Sequence, residues 1–178
     1  DLDPIQTIQS KSPEKYFICS GIHPHHASEI KEINYKKLLE KLQSTNPNAI
    51  GETGLDYFRN ISPPDIQRDA FRMQIDIAKE LKLPLYLHQR DAHEEFLSVL
   101  DNHKFNQKLI VHCFTGNLSE LEDYLKRDFY IGITGWVCDL KRGEELRECI
   151  NHIPQDKLLI ETDSPYLTPV PYRGKRNE

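Results

Sequence analysis

Apolar residues in this chain gather into short unbroken runs, separated by stretches where they return every three or four positions. Six runs read as strands: "YFICSGIH", "NAIGETGLD", "LPLYLHQR", "KLIVHCFTG", "FYIGITG" and "KLLIETDSP". Most are continuous rather than alternating, the pattern of parallel strands covered on both faces. Between them the period becomes helical. "INYKKLLEKL" follows the first strand. "SPPDIQRDAFRMQIDIAKELKLP" follows the second and places Ile66, Ala70, Phe71, Ile77, Ala78 and Leu81 on one face. Ser62 is its predicted N-cap, with Pro63 at the first helical position and Asp65 completing a capping box. Asp91 and Glu94 are predicted to open the helix of Phe96, Leu97 and Leu100; Asn117 and Glu120 do the same for Leu121, Tyr124 and Leu125. "RGEELRECINHIP" puts Leu146, Cys149, Ile150 and Ile153 on one face and stops at Pro154.

Strand, loop and helix alternate with no low-complexity tract or linker, which predicts an α/β barrel or a doubly wound sheet. Neither a P-loop nor G-x-G-x-x-G follows any strand, which weakens the nucleotide-binding sheet. A barrel places its catalytic groups at the C-terminal ends of several strands. Here His23 ends the first strand, Glu52 lies in the second, His88 ends the third, His112 the fourth and Asp163 the sixth. Taken singly, each histidine reads as a hydrogen-bonded rim residue and each carboxylate as a helix cap or ion-pair partner. Their joint placement favours a divalent metal site built from imidazole nitrogens and carboxylate oxygens. An ion there lowers the pKa of water and polarises a phosphoryl or carbonyl oxygen, and a second ion at ~3.5–4 Å would hold both attacking and leaving oxygens. Asp163 is the candidate for orienting the water and taking its proton. His23 is the member best suited to contact a substrate phosphate instead of the metal. His25 and His26 are expected to face solvent, and His93, His103 and His152 to lie on the surface.

With 23 lysines and arginines against 28 acids, the 178-residue chain carries a net charge of −5. It has no global basic field for nucleic acid, so phosphates must be held locally. Arg90 and the cluster Arg173, Lys175 and Arg176 are the candidates. Tyr57, Phe114, Trp136, Tyr166 and Tyr172 lie beyond strand ends, where they would either stack unpaired bases or cap the barrel; capping suits Phe114 best. No apolar run approaches the ~20 residues of a membrane span, and the polar start "DLDPIQTIQS" is no signal peptide, so a cytoplasmic protein is expected. Cys19, Cys113, Cys138 and Cys149 form no C-x-x-C pair and read as reduced, mostly buried thiols.

In order along the chain from Phe17, "GIHPH", "IGETGLDY", "LHQRDAHEEF", "HCFTG", "YIGITGWVCDLKRGEELRE" and "LLIETDSPYL" resemble the TatD family of metal-dependent nucleases. The resemblance implies a (β/α)8 TIM-barrel hydrolase, with about six of eight strand–helix units present in one incomplete domain over 1–178. It implies a magnesium-dependent deoxyribonuclease that trims single-stranded DNA or RNA from the 3′ end, with one or two ions and with manganese or zinc as alternatives. Glu52, His88 and His112 match the family's metal ligands. Asp163 matches the active-site aspartate and is counted as a ligand too, and His23 matches the histidine of the HPH motif. Glu52, Asp163 and His23 are thus the expected catalytic residues, and His23, Arg90, Trp136 and Arg176 the expected substrate contacts.

Two departures from the family pattern stand out. The resemblance expects eight strands and further terminal helices, and a barrel typically needs ~250 residues. The chain is therefore expected to be truncated at both ends, lacking the first two strands; many members carry a His-x-His on that first strand and others lack it, and both cases stay open. Six strands leave unpaired edges, whereas a full-length protein is expected to be a monomer. Two other functions remain open: a barrel hydrolase of a different ester or amide, since function belongs to the site rather than the fold, and a non-catalytic fragment that has lost its metal.

Overall fold

The computed structural model describes residues 7–8 and 10–177; positions 1–6, 9 and 178 lie outside it, and with them most of the polar amino-terminal stretch. Residues 1–108 and 109–178 form two compact units. Each of the six predicted runs contains a strand, and helices alternate with them as expected.

In the first unit β1 (Cys19–Ser20), β2 (Ala49–Asp56) and β3 (Leu85–Arg90) pair in parallel in that order. Their helices are α1 (Tyr35–Ser44), α2 (Pro64–Leu81) and α3 (His93–His103). Ile50, Leu55, Leu85 and Leu87 of the sheet are buried with Phe71, Ile75 and Ile77 of α2. Phe71 stacks on Phe96 of α3 at 5.2 Å between ring centroids.

The buried face of α2 also carries two glutamines one heptad apart, which the apolar pattern does not reveal. Gln67 accepts the Asp56 amide at 2.8 Å and donates to the carbonyls of Asp56 and Ser62. Gln74 accepts the Ile22 amide at 2.6 Å and donates to the Ile22 carbonyl and the Thr53 hydroxyl. Each side chain satisfies the backbone where a strand has just ended or is irregular, so the helix fixes where the chain leaves the sheet.

Two predicted helix starts shift. The Ser62 hydroxyl donates to the His25 carbonyl and accepts the Ser28 amide, so it is not available to cap α2. That helix starts at Pro64 with Pro63 at its cap and no side-chain bond there. Asp91 likewise does not cap α3: it adopts a left-handed turn at φ 54°, and Ala92 takes the cap position.

β2 is irregular at the position that matters most. Ile50 pairs with Leu85 but Thr53 pairs with Leu87, so β2 carries one extra residue around Gly51 and Glu52. Such a bulge re-aims a side chain. A Cβ at Gly51 would collide with the Tyr86 carbonyl, and one at Gly54 with the His88 carbonyl. The "GETG" motif thus needs both glycines so that β2 and β3 can approach around the bulge.

In the second unit β4 (Leu109–Val111), β5 (Tyr130–Ile133) and β6 (Leu158–Ile160) pair in parallel, with α4 (Leu118–Lys126) and α5 (Glu144–Ile150) in the connections. The Asn117–Glu120 capping box of α4 forms as predicted. Tyr124 stacks on Phe129 at 5.0 Å, and Phe114 meets Tyr124 edge-on at 6.0 Å. Phe114 is buried, so it caps the core rather than presenting a stacking surface.

The expectation of strands covered on both faces fails at β6, where Ile160 is 91% exposed. β6 is the edge strand beside β5 and leaves its apolar run uncovered. All four cysteines are free, but only Cys149 is buried; Cys19 and Cys138 are exposed, against expectation, because Cys19 lies on the edge strand β1 and Cys138 ends the short 3-10 turn Gly135–Cys138.

Gln74→Ala strands a buried amide, a carbonyl and a hydroxyl, each worth about 1–3 kcal/mol when left without a partner. Urea denaturation is expected to show at least ~2 kcal/mol of lost stability. An unchanged midpoint would contradict the anchoring role.

Candidate metal centre

β1, β2 and β3 run parallel, so residues at their C-terminal ends share one edge of the first unit. His23 lies just beyond β1 and caps a short 3-10 helix, Pro24–Lys31. Glu52 sits in the β2 bulge and His88 within β3. His23, Glu52 and His88 each offer one ligand atom, and these atoms all lie within 4.8 Å of one another in half-buried positions. Two imidazoles and a carboxylate form a donor set that fits a divalent cation.

The hydrogen bonds divide the labour inside this cluster. His23 Nδ1 accepts the His25 amide at 3.1 Å. A neutral imidazole has one acceptor nitrogen, so Nε2 carries the proton and faces Glu52 Oε1 at 3.5 Å. His23 in this state presents a donor. His88 stands between two carboxylates: Nδ1 is 2.8 Å from Glu52 Oε1, and Nε2 is 3.2 Å from Asp56 Oδ2. Asp56 Oδ2 also accepts from His25 Nε2 at 2.7 Å, and Oδ1 accepts the Arg59 amide at 2.7 Å.

Asp56 and His25 belong to this site although the sequence did not single them out. His25 is not solvent-facing, because Asp56 draws its ring inward; His26 is exposed as expected. The overlooked signal is parity. Glu52 and Asp56 are four apart in a strand and therefore share a face.

The side chain of Asp56 is 1% exposed. Burial alone would raise its pKa, but hydrogen bonds from His88, the Arg59 amide and His25 hold the carboxyl well below the usual range. Burial pulls His88 down, yet hydrogen bonds to Asp56 and Glu52 outweigh it and raise the pKa. For His25 burial wins, helped by the neighbouring imidazoles, and its pKa is lowered.

The second unit holds a similar arrangement. His112 directly follows β4, with Nδ1 at 2.9 Å from Glu161 Oε2 and Nε2 at 3.3 Å from Asp163 Oδ1. Glu161, also not singled out, accepts the Cys113 amide as well. A Cβ at Gly132 would meet Glu161 Oε1 at 2.5 Å, so that glycine makes room for the carboxylate. Cys113 and Asp163 both hold left-handed backbone, at φ 47° and 56°. Such outliers persist where surrounding contacts over-determine them.

The predicted substrate contacts lie around these clusters. Arg90 ends β3, and its guanidinium lies 3.9 Å from the centroid of the exposed Phe58 ring. Tyr57 instead donates its hydroxyl to Glu95 at 2.7 Å. Trp136 lies in a 3-10 turn after β5, under the guanidinium of Arg142. Arg176, Tyr166 and Tyr172 are exposed in the carboxyl-terminal segment. His103 donates Nδ1–H to the Val99 carbonyl at 2.7 Å. Among the described residues no helix is long and apolar enough to cross a membrane.

A family model described as TatD related DNase matches residues 1–178. A protein of Erwinia tasmaniensis named 3'-5' ssDNA/RNA exonuclease TatD is 45% identical over 177 residues, covering 97% of this chain and 68% of its own length. The protein of the same name from Erwinia billingiae is 47% identical over 178 residues with the same coverage. This chain thus spans about two thirds of the length of these relatives. Among solved structures, YJJV, a TatD homologue from Escherichia coli, superposes with a TM-score of 0.86 at 25% identity, over 98% of this chain and 68% of that one. A TatD family hydrolase from Entamoeba histolytica does so with a TM-score of 0.79 at 28% identity, over 93% and 57%. The alternating parallel units are therefore those of TatD-type barrel hydrolases. With the family model matched from end to end and these relatives matched across 97% of the chain, the protein belongs to the family of TatD-related DNases.

Proposed function

We propose that this chain is a divalent-metal-dependent nuclease that hydrolyses phosphodiester bonds of single-stranded DNA or RNA from the 3′ end, as its relatives' names describe. The observation that carries it is the half-buried pair of Glu52 and His88, with His23 beside them, at the C-terminal edge of the first unit's strands. Its action is placed in the cytoplasm.

Glu52, His88, His112 and Asp163 are assigned as metal ligands, with magnesium the expected ion, one or two in number. When bound, the ion supplies Lewis-acid polarisation of a phosphoryl oxygen and lowers the pKa of water. The chain supplies the rest. Asp163 has Oδ1 facing His112, which leaves Oδ2 to orient the attacking water and take its proton. His23, held as a donor by the His25 amide, is assigned to a non-bridging oxygen of the scissile phosphate. Arg90 is pre-set on Phe58 to receive a phosphate. Trp136 and Arg176 are assigned to the strand beyond it.

Asp163→Asn removes the proton acceptor. It is expected to lower kcat on a labelled single-stranded oligonucleotide by at least ~100-fold, with circular dichroism and melting temperature unchanged. Near-wild-type turnover would take Asp163 out of the mechanism.

Metal affinity is expected to depend on pH with a definite sign. The raised pKa of His88 means that an entering cation must displace a proton from it. Affinity for manganese therefore rises with pH, by about tenfold per unit while His88 is protonated, and levels off once it is neutral. Calorimetric titration of the EDTA-stripped protein checks this, and a flat profile would contradict His88 as a ligand.

A further inference from the structure

The loop after β5 is built around one acidic residue. Asp139 Oδ1 accepts the amides of Lys141 and Arg142 at 3.1 and 3.0 Å. Asp139 Oδ2 accepts from Arg142 Nε and Nη2, both at 2.9 Å, and from Arg173 Nη1 at 3.1 Å. Two guanidinium groups from distant parts of the second unit thus converge on one carboxylate oxygen. The Arg142 guanidinium also lies over Trp136, 4.3 Å from the ring centroid, and the Arg142 carbonyl accepts the indole N–H at 3.3 Å.

The fold of the loop does not require this pair of cations. Arg147 of α5 already braces it by donating to the carbonyls of Val137, Asp139 and Leu140, each at 2.9 Å. The tight turn at Gly143 completes it, since a Cβ there would meet the Trp136 and Asp139 carbonyls at 2.6 and 2.8 Å. Arg142 and Arg173 are 41% and 57% exposed while Asp139 is 13% exposed, so the acid lies beneath and the guanidinium groups lie outward. Two positive charges over one negative leave an outward cationic spot on a chain whose net charge is −5. Planar N–H forks fixed by a carboxylate and an aromatic ring suit a phosphate oxygen pair.

We propose that Arg142 and Arg173, held side by side by Asp139, form a clamp for a backbone phosphate of the single-stranded substrate, with Trp136 as the floor that orients Arg142. The clamp rests on the single-strand nuclease reading above and assigns how the substrate is gripped away from the reacting bond. Trp136 then acts through Arg142 as a positioning residue, rather than by stacking a base on that face.

The test is binding of a fluorescein-labelled dT12 by the intact chain, read by anisotropy over a salt series with EDTA present to prevent hydrolysis. Arg142→Gln and Arg173→Gln are each expected to weaken binding and to flatten the slope of log K against log salt by about 0.7, the value for one phosphate contact on a single strand. Lys126→Gln, an exposed side chain at the end of α4, is expected to leave the slope unchanged. Asp139→Asn separates a clamp from simple charge. It adds one net positive charge, so charge alone predicts tighter binding, whereas an unmade clamp binds more weakly. Arg173 lies outside any helix or strand, so R173Q reports on binding even if changes within the loop disturb it. Wild-type slopes in both arginine variants, or tighter binding by D139N, would overturn the clamp alone. Failure of the unaltered chain to bind dT12 would overturn the nuclease reading and the clamp together.

Discussion

One imidazole held between two carboxylates organises the first unit. His88 can stand between Glu52 and Asp56 only if both acids face the same side of β2 and one of them is pushed toward β3. Strand parity supplies the first condition and the bulge at Gly51 and Glu52 the second. The glycines of "GETG" follow from the second condition, because the two backbones approach too closely there for a Cβ. The buried glutamines of α2 follow as well, since a strand that bulges and stops abruptly leaves amides and carbonyls that need partners. The placement of one imidazole is thus reflected in glycines and glutamines elsewhere in the unit.

The second unit solves the same problem with different residues. His112 stands between Glu161 and Asp163, which lie just beyond β6, with Asp163 turned by its left-handed backbone. In each unit one carboxylate is fixed by a backbone amide: Asp56 by Arg59, and Glu161 by Cys113. Anchored acids fix the ring orientation, an arrangement also found around metal-binding histidines. The other acid of each pair is Glu52 in the first unit and Asp163 in the second.

Much of this was legible in the sequence, and what was not has physical causes. Continuous apolar runs located all six strands, and joint placement at their ends picked out His23, Glu52, His88, His112 and Asp163. Residues whose role is to hold another side chain were harder to see. Asp56, Glu161 and His25 differ from ordinary rim residues only in what they touch. Gln67 and Gln74 read as polar gaps in an apolar helix face, although burial with full hydrogen bonding makes them part of the core. The cap predicted at Ser62 failed for a related reason, since its hydroxyl serves the segment that carries His25. Local pattern locates elements well; it does not report which polar group another part of the chain will claim.

The central claim is that imidazole nitrogens of this chain coordinate a divalent ion. Pulsed electron paramagnetic resonance of the manganese-loaded protein tests it most directly, because the electron spin couples to a directly bound nitrogen. The account predicts nitrogen coupling in the unaltered chain and a diminished signal in both His88→Ala and His112→Ala. A manganese spectrum without nitrogen coupling, or one that neither substitution changes, would contradict it.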